Sequence, residues 1–172
     1  MKKLSAGLLI YRLKDGLPQV FIVHNGGPYW AKKDDGVWSL PKGEIHEGEE
    51  PLEAAKREFT EETGFMAPEG PYIDLGRAEY PSGGKDVIAW AAEGDVDPAK
   101  LKSNTFEMQW PPRSGKLQRF PEIDRGGWFP LPQACVKLFP PNRVFLERLA
   151  NELRVSFGAE EIPPPPPQPS LF

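Results

Sequence analysis

Apolar residues recur along the chain with two different spacings, and the shorter one predicts β-strands. Short runs rich in β-branched, aromatic and other apolar residues, bounded by glycine, proline or charged turns, are typical of strands. We predict strands over residues 4–12, 19–24, 37–40, 72–79, 86–92 and 123–129, with a further strand around residues 105–110. The first two are expected to form a hairpin, and residues 94–121 are otherwise expected to be irregular.

Other segments carry the signals of helices. Pro51 suits the first turn of a helix and Gly64 supplies a C-terminal stop, which predicts a helix over about residues 51–63. Residues 133–137 and 143–154 are also predicted to be helical. Strands and helices mix without a regular alternation, which indicates an α+β fold with a mixed sheet covered by helices.

The composition changes after residue 157, where a proline-rich segment begins. The run PPPPPQP can form neither helix nor sheet and predicts an extended polyproline tail. We therefore predict a folded domain over residues 1–157 and a separate tail over residues 158–172. The tail is either inert, which we favour, or a ligand for a proline-reading partner.

Composition and charge narrow the class of protein. Of 172 residues, 39% are hydrophobic and 27% are charged, a balance typical of soluble domains. The net charge of −4 gives no reason to expect DNA or an anionic membrane as a partner. No stretch approaches the roughly 20 apolar residues of a membrane span. The single cysteine, Cys135, excludes an intrachain disulfide and agrees with a cytoplasmic location.

Carboxylates crowd one face of the predicted helix over residues 51–63. Glu58, Glu61 and Glu62 share a face because residues three and four apart are neighbours on a helix. Carboxylates this close repel each other, and partial burial increases the cost, unless a cation lies between them. Magnesium prefers oxygen ligands and leaves coordination places for substrate phosphates. The alternative is a solvated acidic face paired with Lys56 and Arg57, but the glycine-rich loop over residues 41–50 favours a binding site.

The spacing of Gly43, Glu49 and the run REFTEETGF at residues 57–65 resembles a complete Nudix box. The resemblance extends over about residues 3–155. It implies an α/β/α sandwich with a mixed central sheet. It also implies hydrolysis of a pyrophosphate linkage in a nucleoside diphosphate derivative, with Mg²⁺ or Mn²⁺ as cofactor.

The resemblance also implies roles for individual residues of the box. Glu58, Glu61 and Glu62 would ligate the metal or, for one of them, orient the attacking water. A backbone carbonyl at Gly43, or at Lys42 beside it, would complete the metal shell. Arg57 and Glu49 would pair and hold the loop against the helix.

A general base could come from within the box or from outside it. Glu122 precedes the predicted strand 123–129, where several Nudix relatives have an extra metal-binding glutamate. Glu107 is the other candidate outside the box. We favour Glu122, although either residue could be an ordinary surface carboxylate.

Aromatic and basic residues near the box are candidates for substrate binding. Tyr29 and Trp30 lie in a predicted loop, where their rings could stack on a base. Trp38 either does the same or packs in the core, because it lies in a predicted strand. Loop cations are candidates to bind phosphates, and only one or two are expected to do so. They comprise Lys42, Lys116 and Arg119, with Lys32, Lys33 and Arg113 as further members.

Several nucleotide substrates agree with these residues. The tryptophan before SLPKGE is similar to that of dinucleoside polyphosphate hydrolases of the Nudix family, so we predict a dinucleoside polyphosphate or nucleoside triphosphate. ADP-ribose, a sugar nucleotide and the 5′ end of RNA remain alternatives. A non-catalytic nucleotide-binding module is the alternative of another class, and the complete set of box glutamates argues against it.

Overall fold

A large sheet packed against α-helices forms the core of the protein. The computed structural model describes residues 3–81 and 83–157. Its strands are β1 (Leu4–Lys14), β2 (Leu17–Asn25), β3 (Trp38–Ser39), β4 (Lys42–Glu44), β5 (Ile73–Ala78), β6 (Asp86–Glu93), β7 (Thr105–Gln109), β8 (Leu117–Pro121) and β9 (Ile123–Pro130). Its α-helices are α1 (Pro51–Thr63), α2 (Leu131–Lys137) and α3 (Val144–Leu153).

Most predicted elements are present with shifted ends. β1 and β2 are longer than predicted and meet at Asp15-Gly16, where both residues have positive φ, as two-residue hairpin turns favour. Only Trp38–Ser39 of the predicted strand 37–40 is extended as a strand. The sequence pattern misses β4 and β8 because both are short and neither has a buried face, so they carry no clear alternation.

The large sheet is mixed. Its strand order is β3-β2-β1-β6-β5, with β4 also paired to β1 and β9 paired to β2. The β1–β6 pair is parallel and the other pairs are antiparallel. One edge of β1 is shared: its beginning pairs with β4 and its end pairs with β2. This arrangement holds the residues that precede α1 beside the centre of the sheet.

Alternate residues of β1 face two separate cores, as the two-residue period of a strand requires. Leu8 and Ile10 pack in a cluster with Phe59 of α1 on one face of the sheet. Leu9 packs on the other face, in a cluster that includes Leu146 of α3. The fold is therefore an α/β/α sandwich with a mixed central sheet, which confirms the predicted class.

The strands β7 and β8 form a separate two-stranded hairpin. Hydrogen bonds at its base hold it to α1 and to the end of β2. The backbone N–H of Asn104 donates to the carbonyl of Glu61 (2.9 Å), and that of Glu122 donates to the carbonyl of Asn104 (2.8 Å). The N–H of Gly26 in turn donates to the carbonyl of Glu122 (2.8 Å). The hairpin therefore projects from the edge of the glutamate-bearing helix.

The predicted tail over residues 158–172 lies outside the part of the chain that the structure describes. The boundary at residue 157 accordingly stays a prediction. No helix within residues 3–81 and 83–157 has the length and apolar character that crossing a bilayer requires.

Candidate active site

Helix α1 presents its acidic face because its apolar face is fixed to the sheet. Phe59 and Ala55 are fully buried against it. Pro51 occupies the first turn, and Gly64 ends the helix in the left-handed conformation (φ 77°), its N–H donating to the carbonyl of Thr60. The edge of the helix beside this buried stripe carries Glu58, Glu61 and Glu62, which are partly buried.

Strand β4 lies directly against the carboxylate of Glu58. A Cβ atom added to Gly43 would lie 2.0 Å from Cδ of Glu58 and within 2.4 Å of both carboxylate oxygens. Because glycine has no side chain, the backbone of β4 and the carboxylate of Glu58 can approach each other closely. Glycine at position 43 is therefore required by contact with Glu58.

Arg57 connects the loop before the helix to two of the glutamates. Its Nε and Nη2 donate to the two carboxylate oxygens of Glu49 (2.9 and 3.0 Å), and Nη2 also donates to the carbonyl of Glu44 (2.8 Å). Its Nη1 donates to Glu58 (2.9 Å) and Glu61 (3.1 Å). The fork of the guanidinium suits this two-pronged contact with a carboxylate.

The ionisation of Glu49 reflects this contact. Hydrogen bonds from Arg57, and then from the backbone N–H of His46, lower the pKa of Glu49 from 4.5 to about 2. The same contacts, first with Glu49 and then with Glu58 and Glu61, raise the pKa of Arg57 above its ordinary value. Both partners stay charged at any pH at which the protein would act.

Replacing Glu49 by Gln should lower the melting temperature at neutral pH, with a smaller difference in acid. A carboxyl whose pKa falls from 4.5 to about 2 on folding stabilises the fold fully above pH 4.5, and this contribution disappears as the pH falls toward 2. Thermal unfolding of wild type and Glu49→Gln near neutrality and at about pH 3 measures the difference. Glu53→Gln is the control, because Glu53 is 64% exposed on the same helix. An equal difference at both pH values would contradict the assigned contact.

Glu62 lies in the least solvated position of the acidic face. One of its carboxylate oxygens accepts a hydrogen bond from the backbone N–H of Lys42 (2.9 Å). Burial, with smaller contributions from the nearby Glu58 and Glu122, raises the pKa of Glu62 to about 8, although Lys42 opposes the shift. A carboxyl in such surroundings is stabilised as an anion when a cation binds beside it.

Glu122 belongs to the same group of carboxylates, whereas Glu107 does not. Partial burial, followed by the charges of Glu58 and Glu61, raises the pKa of Glu122. Glu107 instead accepts a hydrogen bond from Arg119 on the exposed hairpin (3.2 Å). The structure therefore brings Glu122, of the two candidates outside the box, to the acidic face of α1.

The donor chemistry of these residues suits a hard divalent cation. Within residues 3–81 and 83–157, no three acidic, histidine or cysteine side chains are close enough together to hold an ion as they stand. Glu58 and Glu61 instead both contact Arg57, and they would have to turn from it toward Glu62. Carboxylate oxygens beside the backbone of Gly43 match the oxygen ligands that Mg²⁺ and Mn²⁺ prefer.

A cavity of about 290 Å³ adjoins the acidic face. Lys42 joins the two, because it lines the cavity and its backbone N–H contacts Glu62. Burial lowers the pKa of the Lys42 ammonium, and the nearby Glu62 opposes this shift. The residues that line the cavity are Asn25, Trp30, Gly36, Val37, Ser39, Lys42, Tyr80, Phe139 and Asn142.

A buried polar network closes one side of this cavity. Asn142 is fully buried; its Oδ1 accepts from the hydroxyl of Tyr80 (2.6 Å), and its Nδ2 donates to Oγ of Ser39 (3.3 Å). Sequence reasoning missed these three residues. They lie far apart along the chain, and no spacing or motif links them. The turn at Pro140–Arg143, between α2 and α3, brings Asn142 to the cavity.

The loop over residues 26–36 carries the predicted aromatic residues to two different surroundings. Trp30 is 37% exposed and lines the cavity, whereas Tyr29 is 59% exposed and does not. The ring of His24, missed by the sequence analysis, anchors this loop: Nε2 donates to the carbonyl of Lys33 (2.6 Å), and Nδ1 lies 2.8 Å from the carboxylate of Asp124.

Trp38 belongs to the core, which corrects its placement among the substrate-binding candidates. It is only 4% exposed, and its ring packs edge-on against His24 and Phe129. Its Nε1 donates to the carboxylate of Asp34 (2.7 Å). Because both faces of the strand β3 are covered, no ring surface of Trp38 is open for stacking.

The predicted phosphate-binding cations are divided between two places. Lys42 lies at the cavity, whereas Lys116 and Arg119 lie on the β7–β8 hairpin and do not line the cavity. Arg119 is paired with Glu107, while the side chain of Lys116 is exposed. Of these three, only Lys42 is adjacent to both the cavity and the acidic face.

Sequence comparisons identify the family to which the chain belongs. The family profile of the NUDIX domain matches residues 1–149. An 8-oxo-(d)GTP phosphatase of Mycolicibacterium smegmatis is 36% identical over 139 residues, which cover 77% of this chain and 34% of the phosphatase. The chain thus spans about a third of that relative's length. An RNA pyrophosphohydrolase of Rhizobium meliloti is 29% identical over 165 residues, which cover 81% of this chain and 90% of that enzyme.

Solved structures resemble the fold at low sequence identity. The Ap4A hydrolase of C. elegans superposes with a TM-score of 0.57 at 21% identity, covering 89% of this chain and 99% of that one. The NUDIX domain of Shewanella oneidensis NrtR, complexed with ADP ribose, superposes with a TM-score of 0.61 at 16% identity, covering 89% of each chain. These likenesses establish the fold alone. With the profile matched over most of its length and the box residues in place on α1, the chain belongs to the Nudix family.

Proposed function

We propose that the protein is a divalent-metal-dependent hydrolase that cleaves a pyrophosphate linkage in a nucleoside triphosphate or dinucleoside polyphosphate. The family and the named pyrophosphohydrolase relatives support the enzyme class, a Nudix-type pyrophosphohydrolase. The observation that carries the proposal is the position of Lys42. Its backbone N–H contacts Glu62 and the residue lines the cavity, so a base in the cavity would have its phosphates beside the acidic face.

The metal would be held by Glu58, Glu61 and Glu62, with the carbonyl of Gly43 or Lys42 as a further ligand. Nudix hydrolases generally use divalent metals, and Mg²⁺ or Mn²⁺ suits these oxygen donors. When bound, the ion would neutralise charge on the phosphate oxygens and make a coordinated water more acidic.

The chain's own residues would then position the reactants. Arg57, held by Glu49, would keep the loop and β4 against α1, so that Gly43 stays next to Glu58. Lys42 would bind a phosphate oxygen between the cavity and the acidic face. Glu122, or one of the box glutamates, would accept the proton of the attacking water. The raised pKa of Glu122 supports its choice, because a more basic carboxylate is a better proton acceptor.

The cavity would take one nucleobase. Its volume of about 290 Å³ is at the lower limit of ordinary ligand pockets, and its lining combines the aromatic ring of Trp30 with the polar group of Asn142, Tyr80 and Ser39. An aromatic face would stack on the base, and polar groups would contact its edge. This combination favours a nucleotide over an inorganic or aliphatic diphosphate.

The 5′ end of RNA is a second candidate substrate, favoured by the likeness to the RNA pyrophosphohydrolase over 165 residues. A substrate panel decides among these compounds. Purified protein with magnesium would be incubated with ATP, diadenosine tetraphosphate, ADP-ribose and 5′-triphosphorylated RNA, and released phosphate and mononucleotide would be measured. We expect turnover of at least one polyphosphate and none without the metal. Tight binding without any turnover would instead indicate a non-catalytic nucleotide-binding module.

Trp30→Ala should raise KM for a nucleoside triphosphate by about 5- to 10-fold while changing kcat less, because stacking on one ring contributes about 1 kcal/mol. Steady-state kinetics measures both constants. Tyr72→Phe is a suitable control, since Tyr72 packs in the core cluster on the face of α1 and does not line the cavity. An unaltered KM for Trp30→Ala would contradict stacking on this ring.

A further inference from the structure

We propose that Tyr29, Trp110 and the cations at the tip of the β7–β8 hairpin form a binding position for a second nucleoside of the substrate. This inference rests on the proposed function and narrows it to substrates with two nucleosides. The second nucleoside would come either from a dinucleoside polyphosphate or from the next nucleotide of an RNA 5′ end.

The position begins with a pair of aromatic rings outside the cavity that Trp30 lines. The rings of Tyr29 and Trp110 meet edge to face, with centroids 5.5 Å apart and planes at 71°. Tyr29 is 59% exposed and Trp110 is partly exposed, so ring surface remains open to solvent. Bases stack on such rings with about 1–3 kcal/mol for each base, whatever their sequence.

These rings lie apart from the cavity proposed for the first base. Trp30 lines the cavity, whereas Tyr29, its neighbour in the same loop, contacts the hairpin instead. Because a cavity of about 290 Å³ suits a single base, a second base must lie elsewhere. Neither ring of the aromatic pair lines that cavity.

The hairpin also starts at the acidic face. Its base is bonded through Asn104 to the carbonyl of Glu61, and Glu122 directly follows β8. From Glu122 to Leu117, at the far end of β8, the strand rises about 17 Å. Trp110 therefore lies too far from the glutamates to contact the cleaved linkage itself. A group bound there belongs to the part of the substrate beyond that linkage.

The charge of the hairpin suits phosphates. It carries Arg113, Lys116 and Arg119 against the single carboxylate of Glu107, which pairs with Arg119. The side chains of Arg113 and Lys116 form no ion pair with any residue of 3–81 or 83–157. The chain as a whole is acidic, with a net charge of −4. A surface that combines exposed cations with open aromatic rings suits the binding of a nucleotide segment.

A purely structural contact would have a different signature. If Tyr29 and Trp110 only fixed the loop to the hairpin, their loss would impair every substrate to a similar degree. A second-nucleoside position affects only compounds that carry two nucleosides. The quantity to measure is therefore the ratio of kcat/KM for a two-nucleoside substrate to kcat/KM for ATP.

Trp110→Ala should lower this ratio about 5- to 20-fold, and Trp110→Phe should largely retain it, because the ring rather than the indole nitrogen stacks. Diadenosine tetraphosphate and a 5′-triphosphorylated dinucleotide serve as the two-nucleoside substrates. Leu117→Ala is the matched control, since Leu117 is 71% exposed on the same hairpin. An unchanged ratio with both compounds in Trp110→Ala, or an equal loss in Leu117→Ala, would overturn the inference.

The two compounds also distinguish the source of the second nucleoside. A ratio that falls for one compound alone identifies that compound's class as the occupant. Lys116→Gln should then lower the ratio more for the dinucleotide than for diadenosine tetraphosphate. The reason is that the internucleoside phosphate of the dinucleotide would contact the ammonium group of Lys116.

Failure of the proposed function would be recognised separately. If none of the compounds is hydrolysed, the proposed function is wrong. The affinities of the same compounds, measured without metal, then test the second-nucleoside position. Wild type must bind at least one two-nucleoside compound more tightly than ATP, and Trp110→Ala must remove most of that difference. Equal affinities in wild type would overturn the second-nucleoside position.

Discussion

Glu62→Gln should lower kcat by about 10²-fold or more, with the fold intact. The substitution keeps the shape of the side chain, and the amide oxygen can still accept from the N–H of Lys42. It removes the negative charge that would direct a cation to the reacting phosphate, and losses of that size follow when such an interaction is made in the transition state. Steady-state kinetics over a range of magnesium concentrations measures the effect.

The stability of Glu62→Gln separates lost chemistry from lost folding. Because the pKa of Glu62 rises from 4.5 to about 8 on folding, its charged form destabilises the metal-free protein above pH 4.5. The variant should therefore melt at the same or a higher temperature than wild type near neutral pH without metal. Glu53→Gln, an exposed change on the same helix, should alter neither activity nor melting temperature. Wild-type turnover by Glu62→Gln in magnesium would exclude this face of α1 as the site.

Gly43→Ala should reduce kcat/KM by about 10²-fold, because the new Cβ would occupy the place of the Glu58 carboxylate. The two positions are 2.0 Å apart, so Glu58 must swing away. A displacement of about 1 Å at a reacting centre can cost that much in rate. The group that moves is the end of a flexible side chain, so the loss of stability should be much smaller than the loss of activity.

Gly84→Ala is the matched control for this change. An added Cβ there would meet nothing closer than 3.5 Å, and Gly84 does not have a positive φ. Kinetics and chemical denaturation of both variants, side by side, would show whether the defect is local. Wild-type activity of Gly43→Ala, or failure of this variant to fold, would contradict a local effect of the contact between β4 and Glu58.

The predicted helix and its acidic face follow from local rules, and the structure agrees with them closely. Pro51 and Gly64 bound α1 because one residue lacks an N–H and the other accepts a left-handed backbone conformation. The spacing of Glu58, Glu61 and Glu62 sets them on one face in any helix. The sequence already favours Glu122 over Glu107, and chain packing brings residue 122 close to Glu58 and Glu61 of α1.

The sequence pattern leaves the place of Trp38 undecided and misses the strand β8. Trp38 looked equally suited to the core and to stacking, and packing against His24 and Phe129 settles it in the core. The region over residues 94–121 is predicted to be mostly irregular, yet residues 117–121 form β8 and pair with β7. Exposed strands such as β8 depend on a partner strand rather than on a buried face, so their own residues give little signal.

The sequence by itself determined the fold class, the family and the acidic face of α1, because each depends on residues close together in the chain. Only the tertiary structure decided where a substrate could bind. The cavity joins Asn25, Ser39, Tyr80 and Asn142, and the hairpin sets Trp110 against Tyr29. These contacts form between segments whose relative positions are fixed by packing on the two faces of the sheet, and no local spacing encodes them.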